Sequence, residues 1–156
     1  MTVSPVSPIA AGAAGRELFR ARAALAEAID TSDHLIRYSS AHIAALRVAA
    51  AVLAVRARPT RSGNRRRQRN AWVLLAEVAP EFAEWATFFA AGAAQRAAAE
   101  AGLERSVTTR EADDLIRAVE TFYSQVEASL RLSTTPALTA TTDPASVLAQ
   151  PWMQAS

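Results

Sequence analysis

The chain has 156 residues, 51% of them hydrophobic, which is enough for one domain of ordinary size and too short for two. The absence of Cys excludes disulfide scaffolds, thiolate metal sites and cysteine nucleophiles, and two His leave little material for a histidine-rich metal centre. The net charge is +2, and all 17 basic residues are Arg.

Both ends of the chain are rich in Ser, Thr, Pro, Ala and Gly, a composition that buries too little apolar surface to order itself. We therefore expect disordered tails over residues 1–14 and 133–156 around a helical domain over 15–132. The N-terminus has no positive charge before its weakly apolar stretch and does not resemble a secretory signal. Arg47 and Glu77 interrupt the most apolar runs, so we expect no membrane span and a cytoplasmic protein.

The pattern predicts a first helix from about Gly15 to Ile29. Its apolar stripe is Leu18, Leu25 and Ile29. A second helix is predicted from about His34 to Ala57, with Ser32 or Asp33 as N-cap and Pro59 beyond its end. The apolar stripe of this second helix is Leu35, His42, Leu46, Ala49 and Leu53.

Asn70 is the predicted cap of a third helix that extends to Gly102, with a kink or break near Ala79 because Pro80 lacks a backbone donor. Its apolar face is Trp72, Leu75, Val78, Phe82, Trp85 and Phe89. The last helix opens with a capping box at Thr108 and Glu111. Its stripe is Leu115, Val119, Phe122, Val126 and Leu130. The sequence therefore predicts an all-α, four-to-five-helix, up-and-down antiparallel bundle.

Three stretches of the chain resemble an actinobacterial family of HEPN (higher eukaryotes and prokaryotes nucleotide-binding) domains over roughly residues 16–131. They are RYSSAHIAALRVAAAVLAVRARP, AWVLLAEVAPEFAEWATFFAAGAAQRAAAEAG and TTREADDLIRAVETFYSQVE. The resemblance implies an all-α bundle that is often dimeric. It also implies one of three roles: metal-independent ribonuclease, toxin component paired with a nucleotidyltransferase, or non-catalytic binding module.

Catalytic members of the family carry an Arg, four to six residues and a His near the start of a late helix. This chain has that spacing at Arg37 and His42, in its second helix, and its last helix has no His. Five residues apart on one helix, the two side chains point about 140° apart. We therefore expect His42 to lie inward among the leucines of its stripe. Its alternative role is catalytic, with Arg37, across a dimer interface.

Residues 56–69, the Arg-rich segment, concentrate positive charge with no acidic residue among them. The arginines are Arg56, Arg58, Arg61, Arg65, Arg66, Arg67 and Arg69. Guanidinium groups suit phosphate recognition, so the segment is a candidate RNA- or DNA-binding site, of an electrostatic kind because no aromatic residue is interleaved. An acidic protein surface and a plain solvated loop are the alternatives.

Other features have simpler explanations. Glu77, Glu81 and Glu84 share a helix face but lack the Glu-x-x-His pattern of carboxylate metal sites, so we expect no metal or other cofactor. The aromatic stripe is expected to be core rather than a ligand box, with Phe88 off the stripe as a candidate dimer contact. An apolar cluster with Trp152 in the C-terminal tail is either a docking peptide for a partner or an unselected extension.

The sequence thus favours a non-catalytic, HEPN-like binding module that contacts nucleic acid or nucleotide phosphate through the Arg-rich segment. The family resemblance implies that it is a homodimer. The alternatives are a metal-independent, toxin-like ribonuclease that uses Arg37 and His42, and a protein–protein scaffold.

Overall fold

The structure, a computed structural model, describes residues 6–57 and 70–134. These residues form an all-α bundle with no strand among them. Its α-helices are α1 Pro8–Asp30, α2 His34–Arg56, α3 Ala71–Val78, α4 Ala83–Ala91, α5 Ala93–Glu100 and α6 Thr109–Thr134. Short 3-10 turns at Pro80–Phe82 and Glu104–Ser106 link some of them.

The long helices run up and down around α2, as predicted. Arg37 and Arg56 of α2 contact Asp113 and Ser129 of α6 respectively, so α2 and α6 run in the same direction. The α4–α5 leg runs the opposite way: Arg56 at the end of α2 contacts Glu81 just before α4, and Tyr38 near the start of α2 bonds to Gln95 of α5. Helix α2 packs against α1, α3, α5 and α6, which makes it the central helix of the bundle.

Helix α1 begins seven residues earlier than predicted, at Pro8 instead of Gly15. Ser7 caps it by accepting a hydrogen bond from the Ala10 amide at 3.1 Å, and Pro8 suits the first helical position, where no amide donor is needed. Placing Ile29 in the core was wrong, because its side chain is 50% exposed. Ala28, one residue earlier, takes the inward position.

A row of alanines lets α1 pack closely on α2. Ala14, Ala21 and Ala28 are buried at seven-residue intervals, and Leu18 and Leu25 flank them as partly buried residues. Small side chains on α2, among them Ala41 and Ala45, are fully buried as well. The contact therefore depends on small volume rather than on bulky apolar side chains.

The caps predicted for the other helices are confirmed. The Asp33 carboxylate accepts from the Leu35 amide at 2.9 Å, and Asn70 accepts from the Trp72 amide at 3.1 Å. Thr108 and Glu111 form the reciprocal capping box, at 3.2 and 3.1 Å. Gly102, at a φ of 79°, terminates α5 in the left-handed conformation that glycine adopts without strain.

The predicted third helix is three helices, and its break reverses the chain rather than kinking it. Ala79 leaves the helical region (φ −139°, ψ 72°), as residues before proline do. Helix α3 then folds back on α4, so that the Trp72 and Phe89 rings stack at 5.0 Å. A second break follows at Gly92, where an added Cβ would lie 2.9 Å from the Tyr38 hydroxyl. Glycine there lets α2 and the α4–α5 leg approach each other.

Among the described residues, one helix, α2, is long enough and apolar enough to cross a membrane, with a mean hydropathy of 1.5. A central core helix meets the same criterion, and 56% of that stretch is buried inside the bundle. The packing of α2 against its neighbours accounts for its composition.

The alanine row yields a stability prediction. Ala21→Leu adds three carbons where the residue is 1% exposed, so we expect overpacking to lower the free energy of unfolding by about 1–3 kcal/mol. Ala23→Leu, on the exposed side of α1, is the matched control and should change it by less than about 0.5 kcal/mol. Urea unfolding followed by circular dichroism measures both. Equal effects of the two substitutions would contradict close α1–α2 packing.

Candidate functional site

Arg37 ties the end of α1 to α6. Its Nη1 donates to the carbonyls of Ala28, Ile29 and Thr31 at 3.1–3.2 Å, and its Nη2 donates to the Asp113 carboxylate at 2.6 Å. Carbonyls in the last turn of a helix have no intrahelical donor, so a guanidinium there satisfies them and also opposes the helix dipole. Both terminal nitrogens of Arg37 are therefore engaged by groups of its own subunit.

His42 is buried on another side of α2, with 1% of its surface exposed. Its Nε2 lies 3.0 Å from the Phe89 carbonyl oxygen. Because a carbonyl only accepts, Nε2 carries the proton, which leaves Nδ1 as an acceptor in the neutral ring. The rings of Trp72 and Phe89 meet the imidazole edge-on at 6.1 and 6.3 Å.

The prediction that His42 lies inward is confirmed, and two aromatic rings from α3 and α4 that the sequence did not identify pack against it. The break at Gly92 helps explain the contact, since Phe89 lies in the last turn of α4, where carbonyls lack a full set of helical donors. Burial lowers the pKa of His42 below its ordinary value of 6.5, and the nearby charge of Arg96 lowers it further, against the Phe89 hydrogen bond, which raises it.

The structure does not bring Arg37 and His42 together. Arg37 contacts α1 and α6, whereas the hydrogen bond and ring contacts of His42 are to α3 and α4. A general acid or base must come within hydrogen-bond reach of the reacting group. Within this subunit, the two side chains do not form a shared phosphate site.

A polar network beside His42 was not predicted from the sequence. The Tyr38 hydroxyl donates to Gln95 Oε1 at 3.1 Å, and Gln95 Nε2 donates to Glu111 Oε2 at 2.8 Å and to the Ser106 carbonyl at 3.5 Å. Burial raises the pKa of Tyr38, with a smaller effect of the Glu111 charge in the same direction. Hydrogen bonds from Gln95 and Thr108 lower the pKa of Glu111, so its carboxylate stays charged.

This network lies in the wall of a cavity of about 400 Å³ between α2, α4, α5 and α6. The polar part of the lining comes from Tyr38, His42, Thr87, Gln95, Glu111 and Asp114. The apolar part includes Phe88, Phe89 and Leu115. The volume is typical of a small-molecule pocket. Its polar residues come from four helices and share no short motif, so no local pattern in the sequence predicts it.

Of the Arg-rich segment, the structure places Arg56, the last residue of α2. Its guanidinium pairs with Glu81 and donates to Ser129 Oγ at 3.1 Å, so it is held by partners in its own chain. The other predicted phosphate-binding residues lie outside the described residues. They are Arg58, Arg61, Arg65, Arg66, Arg67 and Arg69. The C-terminal cluster around Trp152 also lies outside them.

The shared acidic face expected for Glu77, Glu81 and Glu84 does not form, because the reversal at Pro80 places the three on separate elements. No group of three or more His, Asp or Glu in the described ranges is arranged to hold a metal ion. The aromatic stripe is core, as predicted: Trp72, Phe82 and Phe89 are buried. Phe88 is 50% exposed, at the cavity.

Comparison with known protein families gives a match over most of the bundle. The family model described as SAV_6107-like HEPN matches residues 28–127, from the end of α1 through most of α6. No curated protein and no solved structure matches the chain.

The buried imidazole predicts a pH dependence of stability. A His whose pKa is lowered by folding binds a proton more readily in the unfolded chain, so its contribution is present above pH 6.5 and is lost as the pH falls below it. We expect the free energy of unfolding to fall between pH 7 and 5, by at most about 1.4 kcal/mol per pH unit from this group.

His42→Gln keeps an N–H that can reach the Phe89 carbonyl but does not titrate, so it should flatten the fall in that window. His34→Gln, which removes the other imidazole, is the control and should retain it. Urea unfolding at a series of pH values measures the difference. An unchanged fall in His42→Gln would show that the ring is not held neutral by the fold.

Proposed function

This chain belongs to the SAV_6107-like HEPN family, and on that premise we propose that it is a non-catalytic binding module that contacts nucleic acid, or nucleotide phosphate, through its Arg-rich segment. The observation that carries the proposal is the separate engagement of Arg37 and His42. Each has a structural role in its own subunit, so the chain's single Arg–His spacing of the catalytic kind is not free for chemistry.

The burial of His42 also weighs against the alternative of a ribonuclease built across a dimer. A ring that is 1% exposed, with Nε2 donating to Phe89, would have to leave its aromatic neighbours to reach a scissile phosphate. Arg37 would have to release three carbonyls and Asp113. Both movements would cost the hydrogen bonds that hold α1, α4 and α6 to α2.

Charge distribution supports a polyanionic ligand. Without the seven arginines of residues 56–69, the chain would carry a net negative charge, so its capacity for anions is concentrated there. Arg56 is neutralised by Glu81, and six arginines remain between residues 58 and 69. Several guanidinium groups on a short segment bind phosphates and release counterions, which makes binding strongly dependent on salt.

A protein scaffold with an acidic partner is the second candidate, because the same charges would serve it. We also predict that the protein forms a homodimer, that the C-terminal cluster around Trp152 docks on a partner, and that the protein is cytoplasmic.

The binding proposal is tested with single-stranded RNA. We expect the triple variant R65Q/R66Q/R67Q to bind at least about tenfold more weakly near 100 mM salt, and the slope of log K against log salt to fall by about 2. Fluorescence anisotropy over a salt series measures both. The matched control R16Q/R105Q/R110Q removes the same charge from exposed helical and loop positions and should bind almost as the parent does. Undetectable binding by the parent at low salt would refute the proposal.

Catalysis is tested separately, with a fluorescent RNA substrate in the presence of a chelator. We expect no cleavage above background by the parent protein. Cleavage that is lost in both Arg37→Gln and His42→Gln, with the fold intact by circular dichroism, would establish the ribonuclease instead.

A further inference from the structure

The cavity beside His42 has hydrogen-bond acceptors to offer and almost no donors. The Tyr38 hydroxyl donates to Gln95, the Thr87 hydroxyl donates to the Ala83 carbonyl at 3.1 Å, and His42 Nε2 donates to Phe89. Both amide hydrogens of Gln95 are committed, to Glu111 and to Ser106. The side-chain donors that line the cavity therefore already form hydrogen bonds within the chain.

What remains is acceptor capacity. Glu111 and Asp114 contribute carboxylates to the lining, and the hydroxyl oxygens of Tyr38 and Thr87 keep lone pairs. His42 Nδ1 is a buried acceptor with no hydrogen-bond partner in the described part of the chain. Arg96 Nε is a buried donor that also has none there, but Arg96 does not line the cavity. Among the lining side chains, the hydrogen-bonding groups left over are therefore acceptors.

The charge of the lining is negative. Glu111 is held ionised by its hydrogen bonds from Gln95 and Thr108. Asp114 pairs with Arg110 and Arg117, but those arginines are 90% and 70% exposed, where ion pairs contribute little and exchange readily with solvent. A phosphate or carboxylate ligand would meet two carboxylates here and no free side-chain donor among the lining residues.

Part of the apolar lining of the cavity consists of aromatic rings. Phe88 and Phe89 lie with ring centroids 5.2 Å apart in an edge-to-face arrangement, and Leu115 lines the cavity as well. Half of the Phe88 side chain is exposed, which leaves a ring surface that a flat ligand could cover. Aromatic faces also attract cations through their quadrupole.

We propose that this cavity is a binding site for a small organic cation, a primary ammonium or amidinium group carried on a flat apolar body. The cation faces Glu111 and Asp114, and the body packs against Phe88, Phe89 and Leu115. The described lining contains none of the arginines of the Arg-rich segment, and the site selects the opposite sign of charge.

Two probes of the same shape and opposite charge test the site: tryptamine and indole-3-propionate. We expect tryptamine to cause saturable NMR shifts at Phe88, Gly92 and the Gln95 side-chain amide, and indole-3-propionate to cause none there. The chain as a whole carries +2, so a preference for the cation cannot come from net charge. Equal or stronger shifts from the anion at these residues, or no saturable shift from tryptamine, would overturn the proposal.

A variant without the Glu111 charge tests whether the preference for the cation arises in the cavity. Glu111→Gln keeps the capping box, since Gln serves at that position, and should weaken tryptamine binding about fivefold. Glu120→Gln, an exposed position on the same helix, is the matched control and should leave binding unchanged. Equal affinity in the two variants would show that the cation is not bound at Glu111.

Discussion

The hydrogen bond from His42 Nε2 to the Phe89 carbonyl is the contact on which the rest of the structure depends. It joins the central helix α2 to α4 inside an aromatic cluster, at 3.0 Å and out of contact with water. Burial of the ring favours the neutral imidazole, because a charged ring there would be desolvated without a counterion in contact, whereas the hydrogen bond to the carbonyl forms in either protonation state. The bond also holds the His42 ring, which is the buried imidazole of the described residues, on the side of α2 that faces α4.

Arg37 likewise connects α2 to neighbouring helices, on a different side of α2 from His42. It gathers the last carbonyls of α1 and a carboxylate of α6, so α2 carries two polar anchors that hold its neighbours in register. Arg37 and His42, which have the spacing expected of catalytic members, thus each contact groups of their own subunit on different sides of α2. Positive charge free for ligands is then expected in the Arg-rich segment, and the bundle contributes an acceptor-rich, negatively charged cavity beside His42.

Much of the fold was predictable because its signals are local. Caps at Asp33, Asn70 and Thr108 and the apolar stripe of α6 depend on residues three or four positions apart, and all of them are confirmed. The start of α1 was missed because alanine gives a weak hydrophobic signal, although it packs closely. The reversal at Pro80 was predicted only as a break, since a proline ends a helix without specifying the direction that follows.

The candidate site was less predictable, because its contacts join distant parts of the chain. Burial of His42 followed from its helical stripe, but its Phe89 partner is 47 residues away. Tyr38 and Gln95 are 57 residues apart and form no motif. The partners of Arg37 were likewise invisible, because helix geometry gives the direction of a side chain and not what it meets.

The most direct test of this account is the protonation state of His42, measured from the imidazole ¹⁵N shifts of the intact chain as a function of pH. The account predicts a neutral ring with its proton on Nε2 and a pKa below 6.5. A pKa at or above 6.5 would contradict the dominant effect of burial on the ring, and a neutral ring protonated on Nδ1 would contradict the hydrogen bond to the Phe89 carbonyl.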